Sequence, residues 1–322
     1  MKAVLLLLST LTIIGKCDTY PFELPRQTFN NRPMIGMLTQ PLTEDMKAQS
    51  PLLATKTSFI QASYVQAVES AGARVVPLIY DNPDINAEIA KLDHVNGVQY
   101  NGGDGGAEYL VFSKKIYNRV KEINDAQISL PIWGTCMGFQ YLAIFEATQG
   151  EGVLSENAFD SNDENYPLKF LVDPLSTRLF SPLGYGAQKY AENNLTYNHH
   201  HDGILPYQFD SDQGLKSAFK PTSISLDNQG RSFVASMEST KYPFFATQFH
   251  PEKQQYVFYP TVKVQHDKTA IDANRYFGDF FVAWARNNTQ SFASYDEEVA
   301  NMVQSTGILV MLKSYTGMIY AF

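Results

Sequence analysis

The stretch Pro131-Ile132-Trp133-Gly134-Thr135-Cys136-Met137-Gly138-Phe139 decides how this chain is read. An apolar, strand-like run enters a glycine, then a thiol, then a second glycine, and a helical pattern follows at once. Glycines on either side of the thiol remove side chains where a sharp strand-to-helix turn brings backbone against backbone. A helix beginning at Met137 would aim its amino end at the sulfur and favour the thiolate. A lone cysteine is most often a small buried hydrophobe. These neighbours make Cys136 a candidate nucleophile for attack on an amide or ester carbonyl.

Outward from that turn, strands and helices alternate. Met34 to Thr39 reads as a short buried strand and residues 41–57 as a loop. Phe59, Ile60, Tyr64, Val68 and Ala71 recur at helical spacing, with Gly72 as the carboxyl cap. Arg74 to Tyr80 is the next strand, Asn86 to Leu92 a short helix, and Val95 to Tyr100 a strand running into the loop Asn101-Gly102-Gly103-Asp104-Gly105-Gly106. Residues 108–123 are helical again, and Pro131 to Trp133 is the strand that ends at the thiol. This alternation predicts an α/β fold with a central, mostly parallel sheet and helices on both faces. Functional loops in such sheets gather beyond the carboxyl ends of the strands, where the glycine loop and Cys136 both fall. The second half is less regular, with strands at Phe170–Val172, Ser232–Ser236 and Pro243–Phe249 and a final helix over 270–286. Its acidic stretch 160–165 reads as a solvated loop.

The chain has 322 residues, and its 44% hydrophobic and 18% charged fractions suit a protein with a sizeable core. A formal net charge of -8 argues against a nucleic-acid or anionic-membrane partner. Met1 to Ile14 gives a basic start and an apolar run too short to span a bilayer comfortably, and Gly15-Lys16-Cys17 supplies a cleavage site. Residues 1–17 therefore read as a signal peptide, an uncleaved anchor being the alternative. A lead-in follows over 18–32, then a single catalytic domain over 33–322. Cys17 and Cys136 are the 2 cysteines, so cleavage leaves one thiol and no disulfide. The sequons at Asn194 and Asn287 fit the same secretory route, to a lysosome, vacuole or the extracellular space.

A thiol nucleophile needs a base, and His250-Pro251-Glu252 offers an imidazole beside a carboxylate. Asn198-His199-His200-His201-Asp202 suggests a metal at first sight. Consecutive side chains rarely converge on one ion, and no cysteine is free to help, so no metal is assigned.

Gly134-Thr135-Cys136-Met137-Gly138 with His250-Pro251-Glu252 downstream resembles the class I glutamine amidotransferases. Within them, Ala62-Ser63-Tyr64-Val65, Glu69 to Pro77, Trp133 to Cys136 and Gln248 to Lys253 resemble the γ-glutamyl hydrolase (folylpoly-γ-glutamate hydrolase) family over most of residues 33–290. The resemblance implies a flavodoxin-like sandwich. It makes Cys136 the nucleophile, His250 the general base and acid, and Glu252 the group that orients the imidazole. The backbone N–H groups of Met137 and Gly103 would form the oxyanion hole. His200, two residues after an asparagine, matches a substrate-contact histidine, with His199 and His201 as solvated neighbours. Tyr64 matches a tyrosine close to the catalytic cysteine, though a core aromatic on the first helix stays open. Similar sequences read Phe-Pro-Gly-Gly where this chain has Tyr100-Asn101-Gly102-Gly103, and loss of the proline is expected to loosen that loop slightly. The implied reaction is cofactor-free hydrolysis of a small-molecule γ-glutamyl substrate through a thioester, and a homodimer is left open. The rival readings are a glutaminase-type amidotransferase module and a catalytically silent secreted binding protein of the same fold.

Overall fold

A computed structural model describes residues 30–322. The signal-peptide reading of 1–17 and nearly all of the 18–32 lead-in fall outside the described residues. The strands are β1 Met34–Leu38, β2 Gln40–Pro41, β3 Ser58–Gln61, β4 Arg74–Leu78, β5 Gly97–Tyr100, β6 Ile132–Thr135 and β7 Ser161–Tyr166. They continue with β8 Lys169–Phe170, β9 Thr196–His200, β10 Phe219–Leu226, β11 Ser232–Ser239, β12 Phe244–Thr247, β13 Ile308–Met311 and β14 Met318–Ala321.

Eight of them form the central sheet, in the order β4-β1-β5-β6-β12-β11-β10-β8. The first five pair in parallel, and β11, β10 and β8 continue antiparallel. Side chains alternate between faces as strand geometry requires. Along β1, Met34 and Leu38 enter one core, with Ile116 and Phe145 from the helices Gly106–Asp125 and Met137–Glu146. Ile35 and Met37 enter the other, with Val65 and Phe277 from the helices Ala62–Ser70 and Lys268–Ala285. Burial on both faces is why these strands read as continuous apolar runs rather than alternating ones. The result is the α/β sandwich that the alternation predicts. No helix among the described residues is long and apolar enough to cross a membrane.

Several segments depart from the sequence reading, among them the 41–57 loop, which carries a short helix over Glu44–Lys47 and a helical turn over Pro51–Leu53. Phe59 and Ile60 do not open the first helix; they lie in β3, all four of whose residues are buried, and the helix begins at Ala62. A short run buried on both faces carries no period by which to tell it from a helical turn. The acidic stretch is not a loop but strand β7, paired with β9. Its register slips between Asn162 and Glu164, where Asp163 adopts φ 59 and its carboxylate accepts from Tyr197 Oη at 2.9 Å and Lys263 N–H at 2.8 Å. A bulge of this kind hides a strand from its composition. Beyond the last long helix, β13 and β14 join β3 and β2 in a four-stranded sheet, over a small core of Leu42, Leu53, Phe59, Val310, Leu312 and Ile319.

Sheet register brings the functional loops together. β5, β6 and β12 are adjacent and parallel, with Tyr100 opposite Gly134 and Thr135 opposite Thr247. The glycine loop, Cys136 and the segment Gln248–Glu252 follow these three strands at their carboxyl ends, so three distant stretches of sequence open onto one cleft.

Candidate active site

Cys136 occupies the turn between β6 and the helix Met137–Glu146 with φ 53 and ψ -108, a left-handed conformation that costs a non-glycine residue about 1–3 kcal/mol. Two hydrogen bonds impose it: Cys136 N–H donates to Thr247 O at 2.8 Å, and Gln140 N–H donates to Cys136 O at 3.0 Å. The flanking glycines are obligatory. A methyl at Gly134 would meet the Gly138 carbonyl at 2.9 Å, and one at Gly138 would meet Tyr100 O at 2.2 Å. The turn therefore holds the sulfur at the mouth of the helix, and Met137, as first helical residue, has an N–H without a helical acceptor.

Across the cleft, Gly102 marks how closely the parts converge. A methyl on it would touch His250 Cε1 at 2.7 Å, Tyr64 Oη at 2.7 Å and Cys136 Cβ at 2.9 Å. Its own N–H is taken by Tyr64 Oη at 2.9 Å, and Gln40 Nε2 donates to its carbonyl at 3.1 Å. Gly103, at φ 141, comes next and lines the cleft. Asn101 does not loosen this loop as the missing proline suggests. It is buried, with Oδ1 accepting from Gln99 Nε2 at 3.1 Å and Nδ2 donating to Leu38 O at 3.5 Å, so an amide pins what a ring would otherwise stiffen.

His250 is anchored by its N–H to Tyr197 O at 2.8 Å. Its Nδ1 lies 2.9 Å from Glu252 Oε1 and 3.2 Å from Tyr64 Oη, while Nε2 is buried with no nitrogen or oxygen partner. Burial opposes charge on this ring, but the Glu252 carboxylate and then the Cys136 sulfur outweigh it and raise the imidazole to about 9. Burial likewise opposes charge on Glu252, and His250 and Lys253 reverse it, holding the carboxyl below its ordinary range. The ring is thus charged at neutral pH and oriented by a carboxylate, with one nitrogen left for chemistry. This is the partner a thiolate needs.

The remaining wall comes from β9 and the tip of the β13–β14 hairpin. His199 O lies 3.9 Å from Cys136 Sγ, and the His199 ring is stacked between Tyr197 at 6.4 Å and Tyr315 at 4.7 Å. His200 borders the same cleft of about 620 Å³, yet its nitrogens face protein oxygens: Nδ1 lies 2.9 Å from Asp202 O, to which the neutral ring can donate its one N–H, and Nε2 lies 3.3 Å from Asn198 Oδ1. Burial pushes His199 down to about 4 and His200 to about 3, so both rings are neutral. His201 is exposed, and the side chains of Asn194 and Asn287 also face solvent. No group of three or more His, Cys, Asp or Glu side chains among the described residues could hold a metal ion. Sequence reasoning overlooked Lys253, Gln61 and Tyr315. Lys253 stands inside the quoted run Gln248–Lys253 and was within reach; Tyr315 carries no sequence signal at all.

A family model described as class-I glutamine amidotransferase matches residues 57–262. Gamma-glutamyl hydrolase B of Dictyostelium discoideum is 34% identical over 279 residues, covering 84% of this chain and 77% of that protein. The gamma-glutamyl hydrolase of Homo sapiens is 31% identical over 313 residues, 95% of this chain and 93% of that one. Among solved structures, the glutaminase domain of Trypanosoma brucei CTPS with bound acivicin superposes with a TM-score of 0.51 at 15% identity, over 81% of this chain and 98% of that domain.

Proposed function

The chain belongs to the γ-glutamyl hydrolase family within the class-I glutamine amidotransferases, and on that premise we propose that it hydrolyses γ-glutamyl amide bonds, folylpoly-γ-glutamates among them, through Cys136. The observation that carries the thiol mechanism is the cysteine on a left-handed turn beside a buried imidazole that stays protonated to about 9. The Cys136 thiolate attacks the γ-carbonyl carbon, forming a C–S bond and an oxyanion that accepts from Met137 and Gly103 N–H. His250 passes its proton to the departing nitrogen, the C–N bond breaks, and a γ-glutamyl thioester remains. Water then attacks the thioester carbonyl and gives one proton to His250, and the C–S bond breaks to release the γ-carboxylic acid, which ionises to solvent, and to restore the imidazolium–thiolate pair. Glu252 keeps the ring oriented, and Tyr64 ties the glycine loop to it. No step calls for a metal or organic cofactor.

The test is hydrolysis of a γ-glutamyl peptide by the full chain and by Cys136→Ala, with iodoacetamide as a second probe. Activity should vanish in both cases. Residual turnover within about tenfold of the wild type, about 1.4 kcal/mol of barrier, would mean another nucleophile. We place the enzyme on the secretory route, with a mature chain starting near Asp18 and glycans on Asn194, Asn287 or both. The basic and apolar start and the exposure of both asparagines support this. Amino-terminal sequencing and glycosidase treatment of the native protein check it, and an intact, unglycosylated Met1 form in the cytosol would refute it.

A further inference from the structure

The β13–β14 hairpin plays no part in that mechanism, yet its tip reaches the catalytic cleft. β14 is seated on β3 with Ile319 opposite Gln61 and Tyr320 opposite Ile60, and β3 runs directly into the helix that carries Tyr64. The tip is closed by Leu312 N–H to Gly317 O at 3.0 Å and Gly317 N–H to Ser314 O at 2.9 Å. From it, Thr316 O accepts from Gln61 Nε2 at 2.7 Å, and Gln61 Oε1 accepts from Lys253 Nζ at 2.7 Å. Lys253 Nζ lies 3.4 Å from Glu252 Oε1, the oxygen that holds His250 Nδ1 at 2.9 Å. An unbroken series of polar contacts joins the hairpin to the imidazole. Tyr315 completes the enclosure, with its ring centroid 4.9 Å from Lys253 Nζ and the Tyr64 ring at 5.4 Å from the same ammonium. The far side of Tyr315 is not idle either, since its ring stacks on His199.

Lys253 is 1% exposed; burial pulls its ammonium below the ordinary lysine range while Glu252 works against that, and oxygens and aromatic faces take the place of its water. The reason to keep one here lies in the cycle of His250. Each time the ring surrenders its proton, Glu252 remains a buried anion, and Lys253 is the charge still beside it. We propose that Tyr315 is a positioning residue for the His250–Glu252 pair: by roofing Lys253 and bracing His199, it keeps the site's second cation against Glu252 while His250 cycles.

The proposal rests on the thiol-hydrolase reading, but its first readout needs no γ-glutamyl substrate. In the full chain, Tyr315→Leu keeps bulk and removes the aromatic face, whereas Tyr315→Phe keeps the face. The rate of iodoacetamide alkylation of Cys136 is followed from about pH 5 to about pH 10, beside kcat and KM on a γ-glutamyl peptide, with melting temperatures as the control for folding. Tyr315→Leu should shift the pH midpoint of alkylation and lower kcat about five- to thirtyfold with KM nearly constant, and Tyr315→Phe should restore both. An unchanged alkylation profile in Tyr315→Leu, or a rise in KM alone, overturns the proposal. Should the profile shift while even the wild type fails to cleave γ-glutamyl peptides, the positioning role stands and the substrate assignment falls.

Discussion

On one side of the cleft, His250 is buried with a carboxylate 2.9 Å from Nδ1 and is held up to about 9; on the other, His200 is equally buried against a carbonyl and an amide oxygen and is pushed down to about 3. The two rings belong to segments that the sequence presents as comparable, each a histidine in a short polar run. Burial penalises charge on both. What separates them is first the Glu252 carboxylate and then the Cys136 sulfur, which convert the desolvated ring from a neutral packing element into a stored proton. His200 packs edge-on to Phe233 at 4.8 Å, the behaviour of a core aromatic.

The largest expected effect follows from removing the charged ring. His250→Ala deletes both the thiolate's partner and the proton for the leaving amine, roles worth about 10²–10⁴ each in kcat. Glu252→Gln should come next, with a loss of about 10²–10³, because the ring keeps its place but not its charge. A titration of the imidazole by NMR should find its midpoint fallen from about 9 towards the acid range, and a midpoint that stays put would erase the contrast between the two histidines. His200→Ala should act differently, costing about 2–3 kcal/mol of stability at nearly constant kcat. A raised KM at an unchanged melting temperature would return His200 to the substrate-contact role implied by the resemblance.

The same contrast sets the pH dependence of stability. His250, raised from 6.5 to about 9, contributes stability that is fully present below about 6.5 and is lost as pH rises through 9. His199 and His200, lowered from 6.5 to about 4 and about 3, contribute stability that is present above about 6.5 and is lost as pH falls towards 3. Denaturant melts across pH should therefore peak near neutrality, with slopes of up to about 1.4 kcal/mol per pH unit for each group. His200→Phe should make the acid limb shallower, His199 keeping its share, and leave the alkaline limb unchanged. The smallest effects are expected from the exposed ring: His201→Ala should change stability by less than about 0.5 kcal/mol, and EDTA should leave activity unaltered.

Legibility in the sequence followed the range of the forces involved. The turn at Cys136 was readable because two glycines, a thiol and the onset of a helix are local necessities. The strands over 34–39, 74–80 and 95–100 were readable because burial on both faces makes apolar runs. β10 was not, since Phe219–Leu226 is rich in hydroxyls, and Thr222 and Ser223 satisfy theirs against Ser236 on the neighbouring strand. Nor could residues 160–165 show that a bulge and a distant tyrosine would make a strand of an acidic run. At the site, Cys136, His250 and Glu252 stood in recognisable company. The enclosure of Lys253 depends instead on Gln61 and Tyr315, which meet only when the second sheet has formed.

That separation gives the enzyme a calendar. Gln61 waits for a carbonyl that lies 255 residues further along the chain, on the last hairpin to be translated among the described elements. At about 5–20 residues per second, Gln61 waits roughly ten to fifty seconds for that carbonyl, and for about the last three to twelve of them the thiol, imidazole, carboxylate and lysine are all present with no roof over the lysine. The central sheet can assemble in that interval, whereas the finished pocket cannot. Maturation of the catalyst is thus written into the order of translation, and its final act is the docking of a strand rather than the making of a bond.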